Sequence, residues 1–166
     1  MAKILDYNYV GCEVRKDECD KINEMLNTNS LFEESDVRVL NMDCREFETD
    51  QKFDLVFTCP PYWNLETYSE QDNDLSSITD YSDFLTEMSK VYSKCSSLMH
   101  DESYCCFVVA DFRDYSEGRK LINRLVPFVS DMIRCGEESG LSDGMMDIFP
   151  GIDNLGRESA QNCIEL

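Results

Sequence analysis

The stretch with the clearest chemical character is Thr58-Cys59-Pro60-Pro61-Tyr62-Trp63, which closes the apolar run "FDLVFT" at 53–58. Two successive prolines fix φ twice and remove two backbone N–H donors. The carbonyls of Cys59, Pro60 and Pro61 are then aimed in set directions with no ladder partners, beside an aromatic side chain. A rigid row of acceptors next to a ring suits a planar group with an exocyclic amine. The carbonyl accepts a hydrogen bond from the amine while the ring stacks on the heterocycle. The plain structural alternative is a diproline turn that ends a strand over packed aromatics, and motifs this short also match by chance.

The flanking sequence supplies a frame for that corner. "NYVGCEV" (8–14), "VRVLN" (37–41), "FDLVFT" (53–58) and "SYCCFVVAD" (103–111) have strand character. "RKDECDKINEML" (15–26) places Cys19, Ile22, Met25 and Leu26 at helical spacing, with Asp17 and Glu18 suited to the helix dipole. "DYSDFLTEMSKVYSKCSSLM" from Asp80 predicts an amphipathic helix, and 119–141 predicts another with a kink or break at Pro127. Strands alternating with helices predict a doubly wound, mostly parallel α/β sheet, whose ligands bind at the strands' carboxyl ends. The continuous apolar run of 53–58 predicts a strand covered on both faces. The polar segment 64–79 reads as a long loop, a length usually functional or disordered. Residues 1–140 form the expected domain, and 141–166 lack a period and are expected to be an irregular tail.

Composition bounds the partners. The 166 residues suffice for one domain with a real core. Thirty-four acidic residues against 15 basic ones give a net charge of −19. Nucleic-acid binders gain affinity from Lys and Arg on phosphates, so any such contact here needs a local basic patch or a partner chain. Otherwise the acidity serves solubility. Nine cysteines are an odd, scattered set without paired CxxC spacing, and His100 is the sole histidine. Neither a disulfide framework nor a zinc site is expected. With no signal-peptide pattern and no run approaching ~18 apolar residues, a cytoplasmic protein without membrane or metal is expected.

"FDLVFTCPPYWNLETYS" resembles the fourth motif of the amino-methyltransferases that modify adenine N6 or cytosine N4 in DNA, with its (Asp/Asn/Ser)-Pro-Pro-(Tyr/Phe/Trp) pattern. The "NLE-YS" continuation is most similar to the branch found in phage and prophage genomes. "DYNYVGCEVRKDECDKIN" resembles that family's second strand and following helix, and "FVVADFRDYSEGRKLINRLVPFVSDMI" its fifth strand, polar loop and next helix. Together these cover roughly residues 2–140, in matching order. The resemblance implies a Rossmann-like fold, S-adenosyl-L-methionine as methyl donor, and a base flipped out of double-stranded DNA as acceptor. It assigns Cys59, Pro60, Pro61 and Tyr62 to the catalytic corner, with the Pro60 carbonyl on the amine and Tyr62 stacked on the base. Glu13 falls at the ribose-binding acid, and Asp43 where a polar residue contacts the cofactor's adenine. Both have an alternative as strand-end surface acids. Arg113, Arg119, Lys120 and Arg124 are candidates for a basic rim.

Two departures from the pattern shape the expectation. Cys59 stands where the family has Asp, Asn or Ser; its thiol is a weak donor and acceptor that approximates serine in shape. Amine methylation needs no thiol adduct, and the cytosine-C5 enzymes that form one show Pro before Cys. The family's first strand and its glycine loop also lack a counterpart. "MAKILDYNYVGCE" begins near the tail of the helix that would follow them, and no Gly-x-Gly occurs in the sequence. The apolar hairpin expected after Gly140 is likewise replaced by a polar tail. These gaps predict weak or lost activity in this chain alone, marginal stability, and an unpaired sheet edge or a second chain that supplies the strand. A non-catalytic acidic interaction protein, subunit or nucleic-acid mimic is the competing reading. RNA or a protein glutamine are further acceptors for such Pro-Pro-Tyr sites.

Overall fold

The computed structural model describes residues 7–28, 36–114 and 124–141. In chain order the elements are β1 (Tyr9–Glu13), α1 (Lys16–Thr28), β2 (Val37–Asn41), β3 (Phe53–Thr58), α2 (Tyr81–Leu98), β4 (Met99–Phe107), β5 (Phe112–Asp114), β6 (Arg124–Val126) and α3 (Phe128–Glu138). The class is mixed α/β, with parallel pairing of β1 to β2 and of β3 to β4, and an antiparallel β5–β6 pair. Among the described residues no ladder joins these pairs into one sheet. The expected continuous parallel sheet is therefore present only as separate ribbons.

Local chemistry accounts for the elements. Asp80 caps α2 by accepting hydrogen bonds from the backbone N–H groups of Ser82 and Asp83. Phe84, Met88, Val91 and Tyr92 recur along one side of α2 and are buried. Phe84, Met88 and Tyr92 meet Phe128, Met132 and Cys135 of α3, and together with Trp63, Phe112 and Val126 they form the core. The chain passes from α2 directly into β4, whose Phe107 ring stacks on Tyr92 at 4.0 Å between centroids. β4 also carries an irregularity: the register with β3 shifts between Phe53 and Leu55, and Glu102 adopts a φ of 67° there.

The predicted helix over 119–141 is corrected. Residues 124–126 form a strand against Phe112–Asp114, and the helix starts only at Phe128. Pro127 stands at the helix entrance with φ −78°. A proline disfavours helical backbone in the residue before it, so Val126 stays extended and the ring serves as a start signal rather than a kink. Residues 119–123 and 142–166, including most of the expected tail, lie outside the described residues. β4 spans Met99–Phe107, so the expected strand at 103–111 begins earlier and stops four residues sooner.

The β3–β4 ribbon is covered on one face only, against the expectation for 53–58. Val56 and Thr58 lie opposite Cys105 and Phe107 on the side packed by α2. Leu55 and Phe57, opposite Tyr104 and Cys106, are on the other side, with Leu55 54%, Phe57 55% and Tyr104 69% exposed. Burying each of these side chains is worth roughly 1.5–3 kcal/mol, and the described residues leave that stabilisation unused.

Arg45 ties the β1–β2 pair to the rest. It follows β2 in a short turn (Cys44–Glu46) capped by Asp43, whose carboxylate accepts from the Arg45 backbone N–H at 2.9 Å and from its guanidinium at 2.5–3.0 Å. The same guanidinium pairs with Glu87 of α2 and donates to the Asn73 carbonyl at 3.1 Å. Burial alone raises the Asp43 pKa, but the Arg45 hydrogen bonds and charge outweigh it and leave Asp43 below its ordinary value of 3.8. Glu87 is held down by its bond to Lys90, against burial, and by Arg45. Since both carboxylates bind protons less readily folded than unfolded, their stabilisation is complete above pH ~5 and disappears as pH falls through these depressed values. Removing one partner of such a partly buried network is costly. We expect Arg45→Met to lower stability by about 2–3 kcal/mol in urea denaturation at pH 7. The difference from wild type should shrink on acidification below pH ~4; a loss that is independent of pH would disprove the charge-based account.

Candidate functional site

The diproline corner is placed as the strand argument requires. Thr58 ends β3 with its carbonyl accepting from Val108 N–H at 2.9 Å, and Cys59 to Tyr62 follow at the strand's carboxyl end. Pro60 is buried and Pro61 half-buried, whereas Cys59 is exposed. Among the described residues no donor reaches the carbonyls of Cys59, Pro60 or Pro61. The Tyr62 ring is half-buried and supported by Phe128 and Phe112 at centroid distances of 5.2 and 6.0 Å. Trp63, the second aromatic of the motif, turns away into the core at 8% exposure, against Tyr81 at 5.1 Å. It does so with φ 50°, a region costly for a bulky side chain, and its indole N–H has no acceptor among the described residues. Strained backbone of this kind concentrates at functional corners.

Glu13 lies at the carboxyl end of β1 and is linked through Arg15 to Tyr68. Its carboxylate accepts from Arg15 N–H at 2.9 Å and from Arg15 Nε at 3.2 Å. The Arg15 guanidinium sits 5.5 Å over the Tyr68 ring. Tyr68 is in turn close enough to Cys59 for the thiol's charge state to influence its phenol. The contacts from Glu13 through Arg15 to Tyr68 tie the end of β1 to the 64–79 segment. Partial burial pushes the Cys59 thiol up from 9.0, so it stays neutral at physiological pH. Burial and the neighbouring Cys59 also raise Tyr62, outweighing a backbone hydrogen bond from Ala110.

Asp43 lies past the end of β2 but has no free acceptor directed at a ligand. Both its oxygens are taken by Arg45 and it is 7% exposed. Its observed role is to cap a turn. Of the rim candidates, Arg113 is exposed and already engaged in an interaction. Arg119 and Lys120 lie outside the described residues, as does the Arg124 side chain. A shallow depression of about 410 Å³ runs along α2 past Ser89, Lys90, Ser93, Lys94 and Ser97, and includes none of the predicted site residues. Its lysines are paired with Glu87 and Glu48.

Sequence reasoning missed what shapes the 64–79 segment. Asp74 is buried and accepts from Ser76 N–H (2.9 Å), Ser76 Oγ (2.7 Å) and Ser69 Oγ (2.6 Å). Ser76 Oγ in turn accepts from Tyr68 N–H at 2.9 Å. Burial raises Asp74, but these hydrogen bonds outweigh it and leave its pKa below 3.8. The segment is an ordered strap that positions Tyr68 over Arg15. The Asp-x-Ser spacing of residues 74–76 was a legible turn signal; Arg15 two residues after the strand-end acid carried none.

Among the described residues no group of three or more His, Cys, Asp or Glu is arranged to hold a metal ion, and no helix is long and apolar enough to cross a membrane. Comparison with protein families, characterised proteins and solved structures gives no match to this chain. The resemblance to amino-methyltransferases therefore rests on the motif residues themselves.

A neutral Cys59 thiol should alkylate slowly. At pH 7.5 we expect iodoacetamide to modify Cys59 at least about threefold more slowly than a free cysteine in a model peptide. Asp74→Ala, which removes the strap's acceptor, should loosen Tyr68 and accelerate that modification. Faster alkylation of wild-type Cys59 than of the peptide would show an activated thiolate instead.

Proposed function

We propose that this chain carries the acceptor side of a S-adenosyl-L-methionine-dependent amino-methyltransferase site for adenine N6 or cytosine N4 of DNA, and that the chain alone holds it incompletely. One observation supports the reading above others. Rigid carbonyls without a donor among the described residues stand beside a half-buried Tyr62 ring at the carboxyl end of β3, and the Glu13 carboxylate stands at the carboxyl end of β1.

The residues present fit the cofactor in part. Glu13 offers a carboxylate at the strand end that suits ribose hydroxyls, which would have to displace the Arg15 guanidinium that reaches both of its oxygens. Asp43 does not fit an adenine contact, because Arg45 occupies it. No Gly-x-Gly in the sequence is available to cradle the methionine end. When bound, S-adenosyl-L-methionine supplies an electrophilic methyl group. The chain's own contribution is to orient the acceptor: the Pro60 carbonyl takes an N–H of the exocyclic amine and turns its lone pair outward, while Tyr62 stacks on the base. Cys59 adds a neutral thiol where a stronger acceptor would favour the amine's loss of a proton, which makes a slow reaction the expectation.

The second reading, a non-catalytic acidic interaction protein, is favoured by the net charge of −19 and by the saturation of Asp43. Cofactor binding separates the two. Saturation-transfer NMR should detect S-adenosyl-L-methionine on the chain with a dissociation constant weaker than about 100 µM, and Glu13→Gln should weaken it at least about fivefold further. No transfer at ~5 mM cofactor would remove the methyltransferase reading, and low-micromolar binding would remove the claim of incompleteness.

A further inference from the structure

Every cysteine among the described residues is a free thiol. Several are accounted for by their packing. Cys19 donates to the Val39 carbonyl at 3.4 Å and accepts from Asn23 Nδ2 at 3.4 Å. The same Asn23 amide holds both the carbonyl and the N–H of Val39, at 2.8 and 3.1 Å. Cys135 donates to the Leu85 carbonyl at 3.8 Å. Cys106 alternates with Cys105 along β4 and so takes the face away from α2. Cys95 and Cys105 are different, because the fold sets them against each other. α2 runs without a loop into β4 at Met99, and the two elements fold back so that Tyr92 stacks on Phe107 at 4.0 Å. One helical turn from Tyr92 toward that junction is Cys95. Two residues from Phe107 toward it, on the same strand face, is Cys105. The two thiols are hydrogen-bonded to each other and both are half-buried. Tyr92 lies close enough to both for their charge to act on its phenol. The Cys105 S–H donates to the Cys95 sulfur and holds Cys95 below the ordinary 9.0, against burial, while the same bond and burial push Cys105 up. Burial and the Asp43 carboxylate raise the neighbouring Cys12 to about 11 and Cys44 to about 12, so those two stay protonated.

We propose that Cys95 and Cys105 form a redox-active dithiol, which closes into a disulfide by exchange with a small disulfide of the glutathione class. The Cys95 thiolate attacks one sulfur of the external disulfide, whose S–S bond breaks as one thiolate leaves. Cys95 then carries a mixed disulfide. Cys105 gives its proton to the departed thiolate or to solvent and attacks the Cys95 sulfur, and the second external thiolate leaves. The dithiol loses two electrons, and the external disulfide is reduced to two thiols. The ring so closed takes in the α2–β4 junction and Glu102, where β4 shifts register against β3 with a φ of 67°. Oxidation therefore pins the irregular part of β4. No residue of the diproline corner takes part, and the test contains neither cofactor nor DNA.

The test is a redox titration of the reduced, full 166-residue chain in mixtures of reduced and oxidised glutathione. Free thiols are trapped with N-ethylmaleimide and linkages are mapped by peptide mass spectrometry. With oxidised glutathione in excess, the Cys95–Cys105 linkage is expected as the main product, at least about fivefold over any other pair, and it should revert in excess reduced glutathione. Cys105→Ser should retain one glutathione on Cys95, since nothing resolves it. Cys95→Ser should take up glutathione on Cys105 at least about fivefold more slowly. Oxidation of the wild-type chain should also slow amide exchange across residues 99–104 at least about threefold. Cys95 and Cys105 still free in excess oxidised glutathione would overturn the proposal. So would a main product that joins Cys95 to any other cysteine, glutathione that accumulates on Cys95 of the wild-type chain, or exchange across 99–104 that oxidation leaves unchanged. These four outcomes are read on the wild-type chain and do not depend on how the variants fold.

Discussion

The arrangement depends on a single guanidinium. Arg45 binds Asp43 at the end of β2, Glu87 on α2 and the Asn73 carbonyl in the strap, so one side chain fastens three segments distant in sequence. Among the described residues no ladder runs from β1 to β3, so backbone hydrogen bonds there do not perform that task. Charge takes over a function that a sheet usually carries. The consequence is direct: Asp43 is spent on architecture, with both of its oxygens held by Arg45.

Much of the frame was legible because it is local. The Asp80 cap and the spacing of Phe84, Met88, Val91 and Tyr92 specify α2 within one segment, and the runs at 37–41 and 53–58 match β2 and β3 in their bounds. What escaped is non-local. Pro127 reads equally as a kink or a start until Phe112–Asp114 is seen to pair with residues 124–126. The apolar run of β3 gives no hint that Leu55 and Phe57 remain open on one side, because hydrophobicity records what a strand can bury rather than what is there to cover it. Cys59, Pro60, Pro61 and Tyr62 fall together since they are contiguous, whereas the link from Glu13 through Arg15 to Tyr68 crosses 55 positions of chain.

The corner also divides its two aromatic residues. Tyr62 keeps part of its ring accessible while Trp63 bends back through a left-handed residue into the core. The tryptophan anchors the turn that the tyrosine presents, an arrangement the motif's spelling conceals. A half-buried tyrosine and a buried tryptophan in adjacent positions give the diproline turn a fixed posture.

Asn23 carries a last consequence. By holding both backbone groups of Val39 it occupies the middle of the far border of β2, where a further strand would otherwise pair. A chain with bare hydrophobic strands is thereby protected from fibre growth along that border, by a single amide that behaves as a chain terminator.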